Sequence, residues 1–129
     1  YRRSAVLKAY RTNMKAKNTG IQSAIDYICS NSGFIALDEK DFELTCPNPA
    51  ICIDKKGETL NEVLEAVTTA WEMLPLPKPS RTILFIESRS LTMADIGYIK
   101  NSFNGFDFFK FGINCEEPDG AKVRIILIG

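Results

Sequence analysis

The sequence predicts a mixed α+β fold: a long N-terminal helix followed by β-β-α-β-α-β-β, with one mixed sheet and helices packed on one face. Three observations carry this reading. Apolar residues recur at three- and four-residue steps in three stretches, the spacing of a helix face. Between them lie short segments that are either alternating or continuously apolar, the two signatures of strands. The boundaries fall at Gly, Pro and Asn, which interrupt both kinds of element. The chain has 129 residues, the size of one ordinary domain. Its 45% hydrophobic and 25% charged residues place it among globular proteins rather than disordered chains.

Leu7, Tyr10, Met14, Lys17, Ile21, Ala24 and Ile28 follow heptad-like steps, so residues 1–33 read as one basic, coiled-coil-like helix. Asn31-Ser32-Gly33 stops it, with Gly33 suited to a left-handed cap. Residues 34–129 form the mixed domain. Phe42, Glu43 and Leu44 alternate as a half-buried strand does, and Cys46-Pro47-Asn48-Pro49 reads as a turn. Residues 50–54 alternate again, with Ile51 and Ile53 on one face, until Lys55-Lys56-Gly57. Thr59 caps the next helix, with Glu62 three positions on, and Leu60, Val63, Leu64, Val67, Trp71 and Leu74 mark its buried face. Pro75-Leu76-Pro77-Lys78-Pro79 stops that helix and connects it to a strand.

Residues 82–86 are apolar throughout, as in a strand covered on both faces. Glu87-Ser88-Arg89-Ser90 reads as a polar loop beyond it. The next helix opens at Leu91 or Thr92 and carries Met93, Ile96, Ile99 and Phe103 on one stripe, with Asn104-Gly105 at its end. An aromatic strand spans residues 106–113, and a final apolar strand spans residues 122–128. The acidic turn at residues 116–120 makes these two expected antiparallel neighbours. The strand-helix-strand units are expected to give parallel neighbours. The N-terminal helix lies on the other face of the sheet or stands apart.

Lys plus Arg and Asp plus Glu are 16 each, but the balance is uneven along the chain. Arg2, Arg3, Lys8, Arg11, Lys15 and Lys17 give residues 1–17 a charge of +6, and the rest of the chain carries −6. Such a block is a solvated helix face, or a contact for a protein, an anionic membrane or a nucleic acid. With little apolar surface, this arm is expected outside the core. Histidine is absent from the chain, which removes His triads, His general bases and His metal ligands. Cys29, Cys46, Cys52 and Cys115 form no C-x-x-C pair, so neither a metal site nor a cofactor is expected. Cys46 and Cys52 bracket the proline turn, so a bridge between them is open if the flanking strands pair; free thiols are the plainer alternative.

The loop residues Glu87, Ser88 and Arg89, with Asp95 in the following helix, are the candidate ligand site. They sit past the carboxyl end of a central strand, where open α/β sheets bind ligands. The same residues also read as an ordinary strand-to-helix loop. Phe109 and Phe111 face one way on the aromatic strand, and Phe106 and Phe108 face the other way with Lys110. Leu7, Tyr10, Met14, the six arm bases, Phe108, Phe109 and Phe111 are therefore the candidate interaction residues. The glycine-aromatic signature of RNA-binding strands is absent.

Ile51-Cys52-Ile53-Asp54-Lys55-Lys56-Gly57 leads to a helix with Leu60 and Leu64, then to a strand and polar loop at residues 83–89. A further helix ends at Asn104-Gly105, and an alternating strand covers residues 108–113. In this order of elements, residues 51–114 resemble the periplasmic domain of ExbD/TolR-type proteins. That resemblance implies a membrane-anchored, extracytoplasmic domain that dimerises and serves an envelope complex. It carries over no functional residue, because the family's membrane-embedded acid would lie outside the stretch that carries the resemblance. The helical N-terminal part, the Cys46–Cys52 turn and the last strand depart from the family pattern. The β-α-β order is also similar to a STAS-type regulatory domain.

The expected function is thus non-enzymatic: protein interaction or assembly, with a homo-oligomer or another protein as partner. Binding of nucleic acid or anionic membrane through the basic helix is the competing class.

Overall fold

Residues 82–88 and 125–128 are buried without a break, so both faces of these segments need a covering layer. The computed structural model describes residues 19–75, 77–103 and 108–129, with the side chains of Thr19 and Phe108 outside that description. The elements in chain order are α1 (Thr19–Asn31), α2 (Glu39–Thr45), β1 (Cys52–Gly57), α3 (Leu60–Glu72), β2 (Arg81–Ser88), α4 (Met93–Ser102), β3 (Phe108–Asn114) and β4 (Val123–Ile128). The fold is mixed α+β, as the sequence implies. The heptad stripe at Leu7, Tyr10 and Met14 and the bases Arg2, Arg3, Lys8, Arg11, Lys15 and Lys17 lie outside the described residues.

The four strands form one sheet in the order β1-β4-β2-β3. β2 and β3 are parallel neighbours, as a strand-helix-strand unit requires. β4 is antiparallel to both β1 and β2 and separates them. The expected antiparallel pairing of the last two strands is therefore overturned. The physical reason is burial: Ile125, Ile126, Leu127 and Ile128 are all fully buried, and an edge position beyond β3 would leave them half solvated.

Helices cover both faces. On one, α3 and α4 bring Val63, Leu64, Val67 and Ile99 against Leu84, Ile86, Ile125 and Leu127. On the other, α1 and α2 bring Ala24, Ile25, Ile28 and Phe42 against Ile83, Phe85, Ile126 and Ile128. The two later helices, α3 and α4, share one face as expected, and α1 takes the opposite face, one of the two places expected of the N-terminal helix, where the unexpected α2 joins it. The result is three layers, α/β/α.

The segment expected as a strand around Phe42 is the helix α2. Asp38 accepts from the Asp41 N–H at 3.0 Å, and the Asp38 N–H donates to the Asp41 carboxylate at 2.9 Å. This reciprocal cap starts the helix and outweighs a short alternation. Phe42 and Thr45, three positions apart, are then the buried pair. Arg81 closes the other end, donating from Nε to the Thr45 carbonyl at 2.9 Å and from Nη2 to the Leu44 carbonyl at 3.2 Å. Cys46 therefore ends a helix, and β1 pairs with β4 rather than with the segment before the proline turn. The strand pair that a Cys46–Cys52 bridge requires is not formed, and all four thiols are free.

Gly33 does not take the left-handed cap expected of it; among the described residues the positive φ belongs to Gly120, at 75° in the acidic turn. Ser32 organises the end of α1 instead. Its Oγ accepts from the Leu37 N–H at 2.8 Å and donates to the Leu37 carbonyl at 3.1 Å. Residues 34–37 then run beside β3, where Ile35 and Ile113 exchange hydrogen bonds of 3.2 and 2.9 Å.

Gly112 makes that approach workable. A Cβ there would lie 2.5 Å from Leu37 Cδ1 and 3.0 Å from the Ile35 carbonyl oxygen. Gly112→Ala is expected to cost about 1–3 kcal/mol, as overpacking does. Urea denaturation should show the loss, and faster hydrogen exchange at Leu37 should localise it.

Candidate functional site

Strand β2 runs two residues further than its apolar stretch implies, through Glu87 and Ser88. Successive strand residues point to opposite faces, so the expected loop quartet is divided. Ser88, Arg89 and Asp95 line one cleft, on the side of α3 and α4. Glu87 belongs to the other face and meets α1. The candidate ligand loop is corrected accordingly: three of its residues gather, and Glu87 does not join them.

The cleft has a volume of about 350 Å³, and Glu58, Glu117 and Lys122 complete its charged lining. Thr92 caps α4, accepting from the Asp95 N–H at 3.1 Å, while Asp95 accepts from the Thr92 N–H at 3.0 Å. The Asp95 carboxylate is thereby held at the helix start. Ser88 Oγ accepts from the Ser90 N–H at 3.3 Å, which shapes the turn out of β2. Thr59 caps α3 in the same way, accepting from the Glu62 N–H at 3.2 Å. The Glu62 carboxylate reaches the Glu58 N–H, at 3.3 Å, one residue before the expected capping-box partner.

On the opposite face, Glu87 is only 2% exposed. Its two oxygens accept from the Tyr27 hydroxyl at 2.7 Å, and Oε2 also accepts from Asn114 Nδ2 at 2.9 Å. Asn114 and Arg124 are the register partners of Glu87 on β3 and β4. The Arg124 guanidinium stacks on the Tyr27 ring at 4.5 Å and forms a two-toothed pair with Asp54, at 2.9 and 2.6 Å. All four strands and one helix are thus tied by a single polar chain from Asp54 to Asn114. Burial, with the Glu87 carboxylate alongside, pushes the Tyr27 phenol up to about 12 against the opposing Arg124 charge. The Asp54 carboxylate holds the Arg124 guanidinium above its ordinary value.

Tyr27, Asp54, Asn114 and Arg124 did not stand out in the sequence as a site. Their signal was present: Glu87, Asn114 and Arg124 are isolated polar residues at the ends of apolar strands. What the sequence lacks is the register that aligns them.

Of the candidate interaction residues, Phe109 and Phe111 pack against the protein's own core. Their rings stack at 6.2 Å, and Phe103 stacks on Phe109 at 6.0 Å. Lys100 lies 5.4 Å over the Phe111 ring. The Phe108 side chain lies outside the described residues. Burial raises the Cys46 thiol to about 11 and also raises Cys29 and Cys52, so these three are held as neutral thiols. Among the described residues, no three His, Cys, Asp or Glu side chains gather where they could hold a metal ion, and no helix is long and apolar enough to cross a membrane.

Fold and site together define a three-layer α/β domain with a small polar cleft on one face of its central strand and a buried carboxylate on the other. No protein-family model matches the chain, and no curated protein matches it.

Tyr27→Phe keeps the edge-on ring contact with Phe85, 6.1 Å between centroids, and removes one donor from a buried carboxylate. It is expected to cost about 1–3 kcal/mol. The raised phenol stabilises the fold fully below its unfolded value of about 10 and loses that contribution as pH rises through about 12. Chemical denaturation across that alkaline window should be steeper in pH for the parent than for Tyr27→Phe.

Proposed function

We propose that this chain is a non-enzymatic assembly domain that joins a second copy of itself along residues 108–111 of β3, the part of that sheet edge ahead of the stretch already bonded to Phe34 and Ile35. The observation that carries the reading is the contrast between the two edges. β1 presents Asp54, Lys55 and Lys56, all exposed, and charged residues of this kind protect an edge from pairing. β3 reads Phe-Phe-Lys-Phe-Gly-Ile-Asn, and its one charge, Lys110, is neutralised by an ion pair with Asp41. Burial pushes the Asp41 carboxyl up, but Lys110 and the Asp38 backbone bond outweigh it and hold it below the usual range.

Large apolar side chains flank this neutral edge. Phe34, whose N–H donates to the Ile113 carbonyl at 3.0 Å, is 65% exposed. Met93 is 78% exposed and lies on the flank of α4 that also carries Lys100, the residue over Phe111. A neutral edge selects for a partner equally free of charge, and another copy of β3 meets that requirement. The absence of histidine from the sequence supports a role without acid–base catalysis at neutral pH.

Sedimentation equilibrium across the micromolar range should show reversible dimers of the full chain. Phe34→Glu and Met93→Lys, both at exposed positions, should weaken association roughly tenfold or more each, with unchanged circular dichroism. A strict monomer at all concentrations, or dimers indifferent to both substitutions, would overturn the proposal.

The +6 charge of residues 1–17 favours a second reading, contact with nucleic acid or an anionic membrane. Titration with RNA and with anionic vesicles at two salt concentrations is the test. Binding that weakens steeply with salt supports it, and salt-independent or absent binding removes it.

A further inference from the structure

The cleft beyond β2 stands apart from the β3 edge, and its chemistry points to a ligand of its own. Ser88 is 6% exposed, and its hydroxyl accepts from Ser90 while its proton meets no acceptor among the described residues. Arg89 and Lys122 line the same space as Glu58 and Glu117, yet none of these four side chains forms an ion pair or hydrogen bond among the described residues. The Lys122 N–H donates to the Gly57 carbonyl at 3.0 Å, which sets Lys122 and Glu58 on one rim of the cleft, and α3 and α4 begin beside it with their own caps.

The starts of two helices open on this cleft, through Leu60 of α3 and Asp95 of α4. Each helix start carries roughly half a positive charge. Arg89 and Lys122, the acids Glu58, Asp95 and Glu117, and the two helix ends together leave the cleft near neutrality while presenting both signs. A field of that kind discriminates against a simple anion or cation and favours a molecule that is neutral overall and charged at both ends. The volume of about 350 Å³ lies at the small end of ligand sites, which run to roughly 1,000 Å³.

We propose that this cleft binds a small bipolar molecule carrying an amine and a carboxylate, the chemistry of a free α-amino acid. The carboxylate lies against Ser88, Arg89 and Lys122, and the ammonium group lies against Glu58 and Glu117. No bond is made or broken.

The test is a titration of the full chain with serine, followed by amide NMR. Saturable shifts at residues 88–91 and 122–123 are expected. N-acetylserine, which lacks the ammonium group, and serine methyl ester, which lacks the carboxylate, should each bind roughly tenfold more weakly or worse. Arg89→Gln and Glu117→Gln, both at exposed positions, should weaken serine binding with the remaining spectrum unchanged. No saturable shift with serine, glycine or glutamate would overturn the proposal. So would N-acetylserine or inorganic phosphate binding as tightly as serine, since the cleft would then be an anion or chain-end site.

Discussion

Burial of β2 and β4 on both faces is the constraint that places every other element. Residues 82–88 and 125–128 offer no polar face to water, so neither strand can sit at an edge or beneath a single layer. The sheet therefore puts them side by side at its centre and leaves β1 and β3 outside. Two layers of helix follow as a necessity. α3 and α4 come from the crossovers, and α1 and α2 supply the second layer from the segment that precedes the sheet. The pin that holds this second layer is polar. Tyr27 reaches across to Glu87, and Arg124 lies over its ring, so α1 is fixed in register as well as in contact.

β2 also acts as a partition. Glu87 and Ser88 are consecutive, yet one ends in a buried hydrogen-bonded network beneath α1 and the other in an open cleft beside α4. The two environments share a strand but no side-chain contact through it. Substitutions on one face therefore reach the other through strand backbone, at Glu87–Ser88 of β2 and at Val123–Arg124 of β4. That separation lets the α1 side serve stability while the α4 side keeps uncommitted charges.

The strongly patterned elements were legible from sequence. α3, α4, β2 and β4 announced themselves because their apolar spacing is long and their borders are Pro, Gly or a capping pair. Phe42 misled because three alternating residues carry less information than the Asp38–Asp41 cap that precedes them. The place of β4 was not legible, since a hairpin-like turn before it predicts pairing with β3 and only burial in three dimensions rules that out. The site was half legible. Ser88, Arg89 and Asp95 were found because the end of a central strand is a rule of topology. Glu87 was misplaced because one residue of strand length reverses the face to which a side chain points. Tyr27, Asn114 and Arg124 required register, which no local pattern contains.

The position of β4 has a consequence in time as well as in space. It is the last strand in the chain and an inner strand of the sheet. Arg124 and Asp54, which join across the β1–β4 pair, are 70 positions apart. Until residues 123–128 have been synthesised, β1 has no strand to pair with, and β2 has β3 on one side alone. In the finished sheet β1 and β2 lie about 10 Å apart across the place that β4 fills. Completing the sheet therefore depends on contacts between distant parts of the chain, the kind that slows folding.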